Sequence, residues 1–548
     1  MKRFCCAMLL IVIFLAGCLG DTPPVSGEPL ASVGPSGGGG PTISGPGGED
    51  VDNMEDGRFV VSEIVTKNGR NYVEYLGNPY LIYGVQNRMD YVYHDPLRDM
   101  SVYEELWEKT AEMGFRTIEM QAWWQFIEPE KDVYDFFDLD QAIKWCDKYD
   151  LNMQLIWFSF VAGGTGVPGY IMSDPETYPR SELSPSVAGA SPALIERECK
   201  AVEALMDFIK ENDTNHRVMM IQLDAEQDTA SSGVDWNDLE SVSKFGWMGG
   251  QSDGLIDMMN QMGLAVKASD RPIVTRVAFT DMVYRNPFDQ QYDYMRRIFA
   301  LPGVDMVGID NYSAKLSYQN ELMDYLEGLI PENIAYQPET GPEQGTFISR
   351  ALLAFSRANG FLTYELRLSN ANYPDWLDGG FYRKSVTEWI ERDGTAKVPV
   401  YPGLAQGDLW ESITSEVREF NKTIYKASHR IASLPKDNLT AFNLQEFDMT
   451  KAPDRTRNLP CGSYTLSCYS PQNKQGFAMC DLNGDLILLG FGPTTQYTVE
   501  GKTLSGSASI GYFTDTGAWV EESTASLSGS TVMVYAGQCL VIPESGIN

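Results

Sequence analysis

Eight short apolar runs separated by amphipathic helical stretches constrain the fold of this chain more than any other feature. They read YLIYGVQ (Tyr80 to Gln86), FRTIEMQ (Phe115 to Gln121), LNMQLIWF (Leu151 to Phe158), VMMIQLD (Val218 to Asp224), PIVTRVAF (Pro272 to Phe279), VDMVGID (Val304 to Asp310), NIAYQPE (Asn333 to Glu339) and GFLTYEL (Gly360 to Leu366). Helical spacing marks Val102 to Met113, Leu139 to Tyr149, Pro192 to Glu211, Gly254 to Lys267 and Gln344 to Asn359 between them. Near-continuous apolar strands are those of a parallel sheet covered on both faces, and eight β-α units predict a (β/α)8 TIM barrel. The absence of a G-x-G-x-x-G after any strand disfavours an open doubly wound sheet.

Within this frame the segment RVMMIQLDAEQD, Arg217 to Asp228, stands apart because its buried strand runs into three acids, Asp224, Glu226 and Asp228. Burying carboxylates costs free energy unless partners or a wet cleft receive them. Catalytic residues of a parallel barrel sit at the C-terminal ends of strands, which is where Glu226 falls. Two connections on that side, 159–191 and 227–253, are long enough to be lids or binding walls. The second carries Trp236 and Trp247.

The second strand leads into Trp123-Trp124-Gln125-Phe126-Ile127-Glu128-Pro129, then Tyr134-Asp135-Phe136 and Leu139-Asp140. Indole beside carboxylate suits sugars, whose C–H faces stack on aromatic rings while their hydroxyls seek acceptors. The order W-x-x-x-E-P, Y-D-F, L-D resembles the glycoside hydrolases of clan A, especially the β-galactosidase families 35 and 42. The resemblance extends from about Pro79 to Glu365, taking in Asn78-Pro79, Val167-Pro168, Ile221-Gln222 and Asn311-Tyr312. It implies an acid/base Glu at the end of strand four and a nucleophile Glu at the end of strand seven. The matching positions are Glu226 and Glu339, the latter in Gln337-Pro338-Glu339-Thr340-Gly341. One carboxyl would protonate the departing oxygen while the other attacks the anomeric carbon, and no cofactor or metal is implied.

Where the family pattern has Asn before the acid/base, this chain has Ala225, which cannot hydrogen-bond a sugar 2-hydroxyl. The sugar therefore differs at that contact, or the barrel binds glycan without turning it over. Asp224 shares a strand face with Glu226 and is the alternative acid, and Glu343 is the alternative to Glu339. Tyr312 is a candidate hydroxyl partner of the nucleophile or a packing residue. Arg88, Trp123, Trp124, Glu128, Asp224 and Glu365 are candidate substrate contacts, each with a structural role in the barrel rim as the competing reading.

The ends of the chain read differently. Lys2-Arg3, an apolar run from Ala7 to Leu15 and Leu15-Ala16-Gly17-Cys18 form an export signal (1–18), and L-A-G-C resembles a bacterial lipobox that makes Cys18 the lipidation site. Residues 19–57, rich in Gly, Pro and Ser, cannot bury a core and form a linker to a catalytic domain over 58–432. Residues 433–548 shift to short alternating strands with turns such as Asn483-Gly484, a C-terminal all-β sandwich. Its Cys461, Cys468, Cys480 and Cys539 admit one or two disulfides after export, while Cys146 and Cys199 lie on helices as buried thiols.

The expected location is thus the cell envelope, with the membrane reached by the lipid anchor only. A net charge of −33, from 75 acidic against 42 basic residues, argues against nucleic acid and polyanions and for a neutral oligosaccharide or polysaccharide. Only three His, widely separated, leave no metal motif.

Overall fold

A computed structural model describes residues 54–55, 58–87, 100–159, 166–178, 192–224, 250–281, 284, 294–313, 315–340, 347–357, 360–366, 406–445, 458–471 and 474–548. The export signal, Cys18 and most of the linker lie outside them. So do Arg88, Glu226, Asp228, Glu343, Trp236, Trp247 and most of both long connections.

Eight parallel strands close into a barrel: β1 (Tyr83–Asn87), β2 (Thr117–Trp123), β3 (Asn152–Phe158), β4 (Val218–Leu223), β5 (Val274–Phe279), β6 (Met306–Ile309), β7 (Tyr336–Gln337) and β8 (Gly360–Leu366). Each falls within or beside one of the eight apolar runs. The strands are covered outside by helices such as Met100–Glu112, Phe137–Tyr149, Pro192–Asn212, Gly250–Ala268 and Phe347–Ser356. The first run loses its start because Asn78–Tyr80 pairs antiparallel with Arg70–Tyr75 instead. That strand, with Ser62–Lys67, makes a three-stranded sheet whose Val73 joins Met220, Val274, Met306 and Leu362 in an apolar layer. Val274 N donates to Ser62 Oγ at 2.9 Å, tying this sheet to the N-terminal end of β5.

Helix Gly250–Ala268 crosses the segment before β6 at Gly263 and Gly303. A Cβ on Gly263 would lie 1.8 Å from the Gly303 carbonyl oxygen and 2.5 Å from its carbon. Both atoms are backbone, so the helix has to back away. Gly263→Ala gains about 1 kcal/mol of helix propensity, but overpacking of this kind costs up to about 3 kcal/mol. A net loss of about 2 kcal/mol is expected in urea unfolding; unchanged stability would mean the two backbones part freely.

After helices Gln406–Tyr425 and Ser428–Ser433 the chain forms two antiparallel sheets. The six-stranded sheet contains Leu439–Phe442, Gly476–Cys480, Leu486–Gly490, Cys539–Ile542, Leu504–Phe513 and Trp519–Gly529, and the four-stranded sheet Leu459–Cys461, Tyr464–Tyr469, Thr495–Val499 and Thr531–Val534. Phe477, Met479, Ile487 and Leu489 join the core of the barrel and its helices, whereas Ala478, Leu486 and Leu488 face the second sheet. That two-sided burial explains the unbroken run Leu486-Ile487-Leu488-Leu489. Phe420 meets Phe491 at 5.1 Å, and Gln475 Nε2 donates to Ser349 Oγ at 3.0 Å across the same junction.

The expectation of disulfides is corrected: Cys461, Cys468, Cys480 and Cys539 are free thiols. Cys539 lies in the core shared with the barrel and the other three between the sheets, apart from it. Cys146 accepts from Trp107 Nε1 at 3.2 Å, and burial pushes its thiol up to about 12. Cys199 is only partly buried.

Candidate active site

The C-terminal ends of β6 and β7 bring Tyr312 and Glu339 together. Asn311 N donates to Glu339 O at 2.8 Å, Arg350 Nη2 donates to Asn311 O at 2.7 Å, and Thr340 Oγ1 donates to Leu362 O at 2.7 Å. These bonds pin the backbone on either side of the acid. The Glu339 carboxylate then accepts from the Tyr312 hydroxyl on one oxygen and from Gln86 Nε2, 3.0 Å away on β1, on the other. Tyr312 is 42% exposed, so the pair reaches solvent. Two donors on one carboxylate favour its ionised form, the state a nucleophile needs.

Beneath Glu339 lies a polar layer that the run-by-run reading missed. Gln86 Nε2 also donates to Glu119 Oε1 at 2.9 Å, and Arg276 Nη2 bonds Glu119 Oε2. Arg276 Nη1 donates to Gln154 Oε1 at 3.0 Å and to the Tyr336 hydroxyl. Gln86, Glu119, Gln154 and Arg276 are all fully buried. Burial pushes the Glu119 carboxyl up, and Arg276 opposes it. Because both Glu119 oxygens accept N–H bonds, the ion pair is the form the geometry fits. The signal was legible: Glu119 stands mid-strand between Ile118 and Met120, and Arg276 mid-strand between Thr275 and Val277.

At the end of β4, Asp224 takes a left-handed backbone (φ 63°) and is fully buried, accepting Ser159 N at 3.2 Å on Oδ1. It faces Glu198 of helix Pro192–Asn212, whose Oε1 accepts from Trp157 Nε1 at 2.9 Å. Burial, and then the Asp224 charge, push the Glu198 carboxyl up to about 8. Asp224 is therefore a wall of the strand-four terminus and not a solvent-facing acid. In the sequence Glu198 is marked only as a position within the helical stretch Pro192 to Glu211.

Trp124 and Glu128, candidate substrate contacts with a structural role as the competing reading, take part in an internal clamp. Both are fully buried. Trp124 Nε1 donates to Glu128 Oε2 at 2.9 Å, Asp132 N donates to Glu128 Oε1 at 2.9 Å, and Arg197 forms an ion pair with Glu128. Arg197 also bonds Asp132 Oδ1 at 2.6 Å, Tyr170 at 2.9 Å and Tyr134 at 3.1 Å. The W-x-x-x-E spacing thus ties the loop after β2 to the helix before β4. Trp123, 9% exposed, ends β2 and packs on Phe158 at 4.1 Å. Glu365 belongs to β8, but its side chain lies outside the described residues. No group of three or more His, Cys, Asp or Glu gathers to hold a metal among the described residues.

A protein-family profile described as "Domain of unknown function (DUF4978)" matches residues 255–448, from the helix before β5 to the first strand of the sandwich. No curated protein matches the sequence. Among solved structures, the chain is similar to an exo-β-1,4-mannosidase from Opitutaceae bacterium strain TAV5 (TM-score 0.43, 14% identity, 65% of this chain and 61% of that one). It is also similar to a β-galactosidase from the Antarctic haloarchaeon Halorubrum lacusprofundi (0.42, 14%, 62% and 58%). A third likeness is to a β-galactosidase from the psychrophilic Marinomonas ef1 (0.44, 11%, 65% and 62%). The chain spans about three-fifths of the length of each. The barrel itself is established by its own strand pairing.

Proposed function

We propose that this chain is a retaining glycoside hydrolase acting on neutral β-linked oligosaccharides, with a β-galactoside as the leading substrate. The observation that carries this reading is the setting of Glu339: a carboxylate at the C-terminal end of β7, pinned by its backbone and held by the Tyr312 hydroxyl and the Gln86 amide. Glu226, two residues beyond Asp224, is assigned the acid/base role. In the first step Glu226 gives its proton to the departing glycosidic oxygen as a Glu339 oxygen bonds the anomeric carbon. In the second, Glu226 takes a proton from water, whose oxygen displaces Glu339 and restores the configuration. Retention requires the two carboxyls about 5–5.5 Å apart. The net charge of −33 favours an uncharged sugar over a sulphated or uronate-rich polymer.

Ala225 supports a second reading of the substrate alone, in which the sugar is another β-glycoside without the usual 2-hydroxyl contact. A set of 2-deoxy-2-fluoro β-glycosides with dinitrophenyl leaving groups tests both, since fluorine slows release of the covalent ester. Time-dependent inactivation with the label on the peptide carrying Glu339 is the expected result, and the sugar that labels fastest identifies the substrate. Turnover of glycosides with no ester on Glu339 would sink the assignment. Oligosaccharide binding without turnover or labelling would point to a non-catalytic glycan-binding barrel.

A further inference from the structure

We propose that Gln86 is a positioning residue for Glu339 whose amide is oriented by the buried Glu119–Arg276 pair, making that pair a remote control on the nucleophile. The proposal rests on the reading of Glu339 above. Gln86 Nε2 carries two hydrogens, and both are committed, one to Glu119 Oε1 at 2.9 Å and one to Glu339 Oε1 at 3.0 Å. The reversed amide would set its oxygen against two carboxylate oxygens with no hydrogen between. The Gln86 Oε1 atom is buried with no hydrogen-bond partner among the described residues, so it is the paired carboxylates that decide the orientation.

Glu119 in turn cannot turn away, because its Oε2 is held by Arg276. Arg276 is held by Gln154 at 3.0 Å and by Tyr336, whose ring lies 4.9 Å from the guanidinium carbon. Side chains from β1, β2, β3, β5 and β7 are therefore joined in one network, which reaches Glu339 through the Gln86 amide. Among the described residues, the groups facing Glu339 include the Tyr312 hydroxyl after β6 and Gln86 from β1, with Glu119 and Arg276 behind it and Asp310 acting on Arg276 from the end of β6.

Two near-isosteric variants separate this arrangement from simple packing. Gln86→Met removes the donor. Glu119→Gln leaves Gln86 in place but presents an NH2 to its amide once the oxygen of the introduced side chain turns to Arg276. Gln86 must then flip and aim its own oxygen at Glu339. In protein labelled with 13C at the Glu carboxyls, the Glu339 signal is assigned by its loss in Glu339→Gln and titrated in each folded variant.

The Glu339 pKa is expected to rise by about one unit in Gln86→Met, and the acid limb of kcat/KM to rise with it. In Glu119→Gln the lost like charge lowers the pKa while the flipped amide raises it. The flip is therefore read as a higher Glu339 pKa shift for Glu119→Gln in the Gln86 background than in the Gln86→Met background. An unmoved Glu339 titration in Gln86→Met, or an equal shift from Glu119→Gln with and without Gln86, overturns the relay; should Gln86→Met fail to fold, Gln86→Leu replaces it in both comparisons. A moved titration in a chain whose turnover survives Glu339→Gln overturns the nucleophile assignment and leaves the relay standing.

Discussion

Glu339→Gln is expected to lower kcat on an aryl β-glycoside by on the order of 10⁴-fold or more, the scale seen when an attacking group is removed outright. The substitution keeps the length and shape of the side chain. Its carbonyl oxygen still accepts one of the two donors, Tyr312 or Gln86, so the cost to folding is about 1–2 kcal/mol, that of one mismatched donor. The amide has no lone pair basic enough to attack the anomeric carbon, so the ester cannot form.

Substrate affinity should change far less than kcat, because the lost interaction is made in the transition state. Glu226→Gln should behave differently, losing about 10²–10⁴-fold on glycosides with poor leaving groups and much less on those that depart without a proton. Azide added to Glu339→Ala should rescue turnover and yield the glycosyl azide of inverted configuration. Near-normal turnover in Glu339→Gln would remove Glu339 from the mechanism.

The second large effect is on stability, at Glu198. Its folded carboxyl titrates at about 8 against an ordinary 4.5, raised first by burial and then by Asp224. Between those values the folded chain holds a proton that the unfolded chain has released. Stability is therefore highest below about pH 4.5 with respect to this group and is lost as pH rises to about 8, by on the order of 5 kcal/mol in all. Glu198→Gln keeps an oxygen to accept from Trp157 and cannot ionise. Denaturant unfolding at pH 5, 7 and 9 should show the variant near parity at the lowest pH and more stable by several kcal/mol at the highest. Parallel curves across that range would show that Glu198 is not held protonated beside Asp224.

The barrel was readable because each strand is covered on both faces and so has to be apolar nearly throughout. The boundaries moved where local pairing intervened, as at Asn78–Tyr80, which an antiparallel partner takes from β1. The sandwich was readable from its turns and alternating strands, apart from Gly476–Cys480 and Leu486–Gly490, whose two-sided burial erases the alternation. The W-x-x-x-E element was recognised as an order of residues, yet its side chains point into protein. Burial of Trp124 and Glu128 depends on Arg197, 69 positions after Glu128 in the chain.

The chain's own order of residues thus determined eight strands, the helices that cover them and the placement of Glu339 at the end of the seventh. Those follow from periodicity and from the end of the barrel at which a carboxylate can reach water. Only the tertiary structure decided which polar residues meet. Closing the barrel sets Gln86 and Glu119 side by side on β1 and β2, brings Arg276 across from β5, and delivers Glu339 to the second hydrogen of the Gln86 amide. Hydrogen bonds of this kind join atoms 33 to 253 positions apart. No local pattern encodes such distances, because they are set by the stagger of strands around a closed sheet.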